Sequence, residues 1–274
     1  MSSKLDFSKP IIMGILNVTP DSFSDGGSYP SSKSAVDKAM IMIEQGASII
    51  DIGGESTRPG SERVPPIEQK RRIVDVISQL VRVIPEKIII SVDTTSSEVA
   101  EAAINLGVGM INDVSAGKDD DKMMNLVAKH NLYYCIMHMQ GSPKTMQDNP
   151  RYKNVIPEII DFLESQSKKA IQQGINQDKI ILDPGIGFGK KTEHNLEILK
   201  NLEKFTNLGY RTLLGTSRKR ILGEVSGENN PSDRVSGTCA TSALGVMSGI
   251  NIYRVHDVWQ NKQAIDIAYS IKNI

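Results

Sequence analysis

The stretch KIILDPGIGFGKK, residues Lys179–Lys191, joins an apolar run to a glycine-rich loop. Ile180–Leu182 are apolar, and Asp183 follows them. Pro184 then blocks further strand pairing because it has no backbone N–H, and the glycines permit a tight turn. This order predicts a buried strand that ends on a single carboxylate and continues into a loop.

The same order recurs along the chain, where apolar runs end at polar residues. Most of these runs are continuously apolar, which is typical of parallel strands covered on both faces. Segments with apolar residues at helical spacing separate them. The predicted strands are Ile11–Leu16, Ser48–Ile52, Ile88–Val92, Val108–Ile111, Leu132–Met137, Ile180–Leu182, Thr212–Leu214 and Ile250–Val255.

Eight strands that alternate with eight helical segments predict an α/β fold, a single (β/α)8 TIM barrel over residues 1–274. The chain length is near the typical size of this fold. In such a barrel the active site lies at the C-terminal ends of the strands. An open doubly wound sheet is the alternative architecture.

The composition argues against several classes of function. The chain has 32 Lys and Arg and 32 Asp and Glu, so a general nucleic-acid or membrane-binding surface is not expected. No segment approaches the roughly 20 apolar residues of a membrane span, and no signal-peptide core is present, which predicts a cytoplasmic protein. Cys135 and Cys239 lack CxxC spacing, which favours two small core thiols over a disulfide or zinc site.

Two connections are rich in Gly, Pro, Ser and Asp, and they span residues 19–34 and 55–66. Each follows a predicted strand, so each is expected at the active-site face of a barrel. They are either mobile lids or ordinary surface loops, and their position favours lids.

Polar residues stand at the end of every predicted strand, and a barrel would bring them together. The basic ones suit phosphate or carboxylate, and the turn at Ser217 can offer free N–H groups to an anion. The Asp and Asn side chains suit a flat heterocycle with ring N–H and amino donors. A substrate with an anionic tail and a hydrogen-bonding ring is therefore predicted. The set is Asn17, the loop Gly53–Arg58, Asp93, Asn112, Asp113, His138, Asp183, Ser217, Arg218, Lys219, Arg254 and His256.

Some of these residues also have structural interpretations. Asp113 is expected to cap a helix, and His138 fits either a structural or a functional role. Arg254 and His256 flank Val255, so they point to one face of a strand. There they need either a ligand or buried protein groups as partners.

At seven places the sequence resembles the dihydropteroate synthase family. The matches follow the family's order from about Ile11 to the C-terminal helix, so together they are highly specific. The segments are Asn17–Gly27 (NVTPDSFSDGG), Gly53–Gly60 (GGESTRPG), Ser91–Thr94 (SVDT), Ile111–Asp113 (IND), Leu182–Phe188 (LDPGIGF), Gly215–Arg220 (GTSRKR) and Arg254–Asp257 (RVHD).

The resemblance implies a TIM-barrel transferase of folate biosynthesis. Such an enzyme joins p-aminobenzoate to 6-hydroxymethyl-7,8-dihydropterin diphosphate, releasing pyrophosphate and 7,8-dihydropteroate, with Mg²⁺ as its cofactor. An SN1-like path is expected. The resemblance further implies a homodimer formed through the last helices and a target of sulfonamides.

The resemblance also implies roles for individual residues. Asp93, Asp183 and Lys219 are the expected catalytic residues at the pterin ring. Asn17 is expected to touch magnesium or the diphosphate. The other expected substrate contacts are Asn112, Met137, Phe188 and Gly215 for the pterin, Arg254, His256, Arg58 and Thr57 for the phosphates, and Ser217, Arg218, Phe23 and Pro59 for the aminobenzoate.

Two other functions stay open from the sequence. A pterin-dependent methyltransferase would share the barrel and the pterin-binding acids, but it should not need the segment Asn17–Gly27 or the turn Ser217–Arg220. A non-catalytic barrel that only binds a pterin is the second alternative.

Several residues near the motifs are expected to have structural or solvent-facing positions and not to bind a ligand. Lys190 and Lys191 are predicted to face solvent, and Glu55 is predicted to stabilise its own loop. His130 and His194 fall in polar helical segments and are predicted at the surface.

Overall fold

The computed structural model describes residues 5–19 and 32–274. Its parallel strands pair in chain order, and the last pairs with the first, which closes the sheet into a barrel. The (β/α)8 prediction is therefore confirmed. The strands are β1 (Ile11–Asn17), β2 (Ile49–Gly53), β3 (Ile89–Asp93), β4 (Met110–Asp113), β5 (Tyr133–Met137), β6 (Ile180–Asp183), β7 (Arg211–Leu214) and β8 (Ile252–Val255).

Several strands run one or two residues beyond their predicted ends. The polar residue that was predicted to follow each of these strands is itself paired with the neighbouring strand. Asn17, Asp93, Asn112 and Asp183 are thus held by strand pairing and not by loops. Gly53 pairs with Asp93 in the same register. These side chains consequently start from rigid backbone at the C-terminal end of the barrel.

The prediction of eight helices was wrong, since the described residues contain ten. The connections before and after β7 each hold two helices: Asn201 separates one pair, and Gly227, with a φ of 77°, ends the first helix of the other. The helices are α1 (Ser32–Glu44), α2 (Pro66–Val83), α3 (Ser97–Ile104), α4 (Met123–Lys129), α5 (Val155–Gln172), α6 (Thr192–Lys200), α7 (Leu202–Thr206), α8 (Arg220–Ser226), α9 (Val235–Met247) and α10 (Val258–Lys272). Within the described residues, no helix combines the length and the apolar character needed to cross a bilayer.

Alternation along the strands divides the core into two parts. Residues such as Ile50 and Ile52 point outward and pack under the helices, while Ile49 points into the barrel. We call the apolar residues that fill the barrel interior near the N-terminal strand ends the lower layer. They are Leu5, Ile11, Met13, Ile49, Ile89, Met110, Tyr133, Cys135, Ile181, Leu213 and Ile252.

Above the lower layer most inward positions become polar, with Ile15 and Met137 as apolar exceptions, and we call the polar set the upper layer. It faces the C-terminal ends of the strands, where barrel enzymes bind their substrates. Its members are Asn17, Asp51, Ser91, Asp93, Asn112, Asp183 and Arg254. Both cysteines are free thiols, as predicted, although Cys239 is only half-buried.

Candidate active site

A cavity of about 550 Å³ opens above the upper layer. Every described residue with an expected catalytic, substrate or metal contact lines it, while Asp113 and His138 of the strand-end set do not, and Phe23 lies outside the described residues. The lining residues that were predicted are Asn17, Thr57, Arg58, Pro59, Asp93, Asn112, Met137, Asp183, Phe188, Gly215, Ser217, Arg218, Lys219, Arg254 and His256.

The floor of the cavity is a network of charges centred on Arg254. Its Nε lies 2.6 Å from Oδ2 of Asp51, and its Nη2 lies 2.8 Å from Oδ2 of Asp93. Asn112 donates from Nδ2 to the same oxygen of Asp51 at 3.0 Å. Strands β2, β3, β4 and β8 are thus joined below the cavity by two buried carboxylates, one amide and one guanidinium.

Asp51 is a functional candidate that the sequence reasoning missed. It is fully buried, and its Oδ1 has no hydrogen-bond partner among the described residues. The available signal was an acid inside the apolar run Ser48–Ile52, since a buried carboxylate in a strand needs a specific partner. Asp113, by contrast, is structural, but the prediction that it caps a helix was wrong: it accepts from the N–H groups of Ser115 and Gly117 in the turn after β4, and α4 begins only at Met123.

The two expected catalytic acids differ in their surroundings. Burial raises the pKa of Asp93, and the neighbouring Asp51 carboxylate adds to this, while Arg254 opposes both. Burial also raises the pKa of Asp183, against the attraction of Lys219 and a hydrogen bond from the N–H of Gly185. Both acids therefore gain from a ligand that donates hydrogen bonds to their ionised forms.

Lys219 stands opposite these acids on the loop after β7. Its Nζ donates to the carbonyl oxygen of Ile186 and lies 4.6 Å from the ring centroid of Phe188. Burial lowers the pKa of Lys219 to about 8, although Asp183 acts in the opposite direction. The cation is held by a carbonyl and an aromatic face at the wall of the cavity.

The turn between β7 and α8 is fixed from two sides. Arg218 has a φ of 57°, an unusual conformation for a residue with a side chain, and Asp257 pairs with its guanidinium at 2.9 and 2.5 Å. Ser217 Oγ lies 2.9 Å from Nδ1 of His256 and accepts from the backbone N–H of that histidine. Burial and nearby cations lower the pKa of His256 to about 3, so the ring is neutral at pH 7.

The loop after β2 places Thr57, Arg58 and Pro59 at the rim of the cavity. Glu55 stabilises this loop, as predicted, because its Oε1 accepts from the backbone N–H of Val64 at 2.9 Å. The N–H of Gly60 also donates to the carbonyl oxygen of Pro143 in the loop after β5. The expected lid motion of residues 19–34 and 55–66 stays a prediction.

The prediction for Lys190 was wrong, whereas that for its neighbour was right. Lys191 is exposed, but Lys190 is 2% exposed and contacts His138, because the glycine loop turns back over its side chain. His138 is itself buried and supports this loop. His130 is exposed as predicted, while His194 is half-buried with its ring 4.9 Å from that of Tyr152.

Known proteins share this architecture over nearly the full chain. The profile of a family described as pterin-binding enzymes matches residues 13–256. Dihydropteroate synthase of Escherichia coli (strain K12) is 41% identical over 265 residues, which cover 97% of this chain and 93% of that protein.

Solved structures agree with the sequence relationships. A dihydropteroate synthase from Yersinia pestis, crystallised with a sulfonamide drug, is 38% identical with a TM-score of 0.93, covering 98% of this chain and 97% of the other. A dihydropteroate synthase from Xanthomonas albilineans, in complex with 7,8-dihydropteroate, is 37% identical with a TM-score of 0.88, covering 98% and 96%. The chain therefore belongs to the pterin-binding enzymes, and among them to the dihydropteroate synthase family.

Proposed function

We propose that the protein condenses 6-hydroxymethyl-7,8-dihydropterin diphosphate with p-aminobenzoate to give 7,8-dihydropteroate and pyrophosphate, as the names of its relatives indicate. The observation that carries this proposal is one cavity with an acidic, hydrogen-bonding floor and a cationic wall and rim. The floor suits the donors of a pterin ring, and the cations suit a diphosphate. The expected location is the cytoplasm.

The pterin ring would lie over the upper layer. Asp93 and Asp183 would accept from its N–H and amino groups, and Asn112 can both donate and accept. Met137 and Phe188 offer apolar contact to the ring faces beside these polar groups. Lys219 would donate to the polar edge of the ring.

The diphosphate would extend towards the rim, where His256 and Arg58 line the cavity. Arg254 uses Nε and Nη2 for Asp51 and Asp93, so a phosphate would meet the remaining edge of its guanidinium. Ser217 and Pro59 lie near the same opening and would contact the aminobenzoate.

We propose Mg²⁺ as the cofactor, held mainly by the substrate. The described residues contain no cluster of three metal-ligating acids, histidines or cysteines, and Asn17 is the oxygen donor at the end of β1. This fits Mg²⁺, which commonly takes few protein ligands and several from substrate phosphates and water. When bound, the metal supplies charge neutralisation to the leaving diphosphate.

Departure of the diphosphate would run ahead of attack by the amine. The electron-rich dihydropterin can carry positive charge as the C–O bond breaks, and the ionised Asp93 and Asp183 would stabilise that cation. The amine of p-aminobenzoate then forms the C–N bond and loses a proton. No protein nucleophile is required, and a closed cavity would keep water from the cation.

A homodimer through the last two helices is part of the proposal. Leu244 and Met247 on α9 and Trp259, Ile267 and Ile271 on α10 are exposed large apolar side chains. Exposed apolar side chains of this size favour a protein–protein contact. Light scattering of the wild-type protein measures the expected mass of twice the monomer, and a monomer would contradict it.

The test of the reaction is product formation from the two substrates with Mg²⁺. We expect 7,8-dihydropteroate and pyrophosphate in equal amounts, and inhibition by a sulfonamide that competes with p-aminobenzoate. Tight pterin binding without either product would indicate a binding barrel. Methyl transfer under matched conditions would indicate a methyltransferase.

A further inference from the structure

Lys190 is a buried cation whose hydrogen-bond partners among the described residues are all uncharged. Its Nζ lies 2.9 Å from the carbonyl oxygen of Gly185 and 3.0 Å from that of Phe188. It also lies 3.0 Å from Nδ1 of His138 and 3.2 Å from the carbonyl oxygen of that residue. Burial lowers the pKa of His138 to about 2, so its ring is neutral and Nδ1 can accept.

Burying an ammonium without a carboxylate in direct contact costs free energy. The cost is visible in the pKa of Lys190, which burial lowers well below its usual value. Lys191 shows that a lysine beside it can reach solvent. A cation that stays buried despite this desolvation cost is expected where its positive charge has a function that a neutral side chain cannot supply.

The loop that Lys190 contacts is also held by other residues, since the N–H of Gly187 donates to Oδ1 of Asn195 at 2.7 Å and the Tyr152 hydroxyl donates to the carbonyl oxygen of Gly189 at 2.8 Å. Gly185, Gly187 and Gly189 have φ angles of 69°, 80° and 64° and no side chains to pack. A Cβ at Gly185 would collide with the carbonyl oxygen of His138. The ammonium donates to two carbonyl oxygens of this loop, those of Gly185 and Phe188. It also donates to the carbonyl oxygen of His138, directly after β5, and so links the loop to that strand.

The same loop positions the cation at the wall of the cavity. The Nζ of Lys219 contacts the carbonyl oxygen of Ile186 and the ring of Phe188, and both of these groups lie inside the segment that Lys190 closes. A change in the loop would therefore move Lys219 relative to the pterin ring.

Lys190 also acts on the charge of Asp183. Three cations on different elements act electrostatically on this carboxylate: Lys219 on the loop after β7, Lys190 on the loop after β6, and Arg254 on β8. Each of them favours the ionised form, while burial opposes it. The N–H of Gly185 adds a hydrogen bond of 2.7 Å to Oδ1.

We propose that Lys190 is a positioning residue, which holds the glycine loop so that Asp183 and Lys219 meet the pterin ring together. This inference rests on the proposed synthase function. Lys190 does not need to touch the substrate itself.

The test compares Lys190→Met with Lys191→Met, which removes the exposed neighbouring cation. We expect kcat/KM for the pterin diphosphate to fall about 10- to 100-fold in Lys190→Met, the range seen when groups that orient a site are removed. The KM for p-aminobenzoate should change little. Lys191→Met should match the wild-type enzyme in both constants.

The pH profile separates positioning from general support of the fold. Loss of the Lys190 charge should raise the pKa of Asp183, so the acid limb of kcat/KM for the pterin diphosphate moves to higher pH. Lys190→Arg keeps a positive charge and should return the acid limb of kcat/KM towards its wild-type pH. It replaces Lys190→Met in the comparison if Lys190→Met does not fold. Thermal unfolding of all variants establishes which are folded.

Two results would overturn the inference: kinetics of Lys190→Met that match those of Lys191→Met, or a loss of activity with an unmoved acid limb. An inactive wild-type protein would refute the synthase proposal instead. Calorimetric titration with 6-hydroxymethyl-7,8-dihydropterin then tests the positioning role alone, and equal affinities of both Met variants would contradict it.

Discussion

The lower and upper layers of the barrel interior stand on the same strands, yet their chemistry is opposite. Ile49 and Ile89 in the lower layer are buried apolar side chains, and their upper-layer neighbours Asp51 and Ser91 each leave a buried polar atom without a partner among the described residues. The apolar layer stabilises the fold, because burial removes its side chains from water. The polar layer costs stability, because its groups lose water without full replacement.

The difference indicates what the upper layer is for. Buried acids with raised pKa values that line a cavity, as Asp93 and Asp183 do, are expected where a ligand completes the hydrogen bonding. Changes in the upper layer should therefore act on substrate, and changes in the lower layer should act on stability. Substitutions in the two layers test this division.

Asp93→Asn should lower turnover about 100- to 1000-fold, the range for removing one group that stabilises developing charge. The fold should remain, because Asp51 still pairs with Arg254 at 2.6 Å. Pyrophosphate release measures turnover, and circular dichroism checks the fold. Near-normal turnover in this variant would remove Asp93 from the mechanism.

Asp51→Asn should lower kcat/KM for the pterin diphosphate about 10- to 100-fold, since Asp51 orients Asn112 and Arg254 without facing the cavity. It should also move the acid limb to lower pH, because the negative charge of Asp51 helps to raise the pKa of Asp93. Steady-state kinetics across pH measure both effects. An acid limb at the wild-type pH would show that the charge of Asp51 does not affect the pKa of Asp93.

His256 makes the cavity end of the barrel sensitive to acid. Its pKa falls from 6.5 in the unfolded chain to about 3 in the folded protein, so the unfolded state binds more protons between these values. Stability should therefore fall as the pH drops from 6.5 towards 3, by up to about 1.4 kcal/mol per pH unit from this group.

The control for this effect is His256→Gln, which removes the titrating ring. Urea unfolding of both proteins at several pH values gives the difference in the free energy of unfolding. This difference isolates the histidine from the buried acids, whose raised pKa values act in the opposite direction. A difference that does not change with pH would contradict the prediction.

Ile181→Val in the lower layer should have the smallest effect. The side chain is fully buried, and loss of one methylene there should cost about 0.5–1.5 kcal/mol in the free energy of unfolding. The kinetic constants should stay at wild-type values. Urea unfolding and steady-state kinetics provide the comparison, and altered kinetics would mean that the two layers are not independent.

Strand-ending acids could be predicted from the sequence, because the signal is local. Asp183 follows three apolar residues and precedes a proline, and this order fixed both the strand and its carboxylate. Asp51 was missed because it lies inside an apolar run, where only the inward direction of its side chain gives it a role. That direction depends on the closure of the barrel.

The two lysines after the glycine loop show where local signals fail. Lys190 and Lys191 are adjacent and have the same chemistry, yet one is buried and the other is exposed. Their difference arises from the path of the glycine loop over His138, a contact between residues 52 positions apart. The extra helices around β7 were missed for a related reason, since short helices with weak apolar patterns depend on tertiary packing.

The most direct test of the division between the layers is calorimetric titration of 6-hydroxymethyl-7,8-dihydropterin into the wild-type protein, Asp93→Asn and Ile181→Val. We expect an affinity at least about 10-fold weaker for Asp93→Asn, since a hydrogen bond to a charged group is worth about 1.5–3 kcal/mol. We expect an unchanged affinity for Ile181→Val. Equal binding by wild type and Asp93→Asn, or weakened binding by Ile181→Val, would contradict the assignment of the pterin to the upper layer.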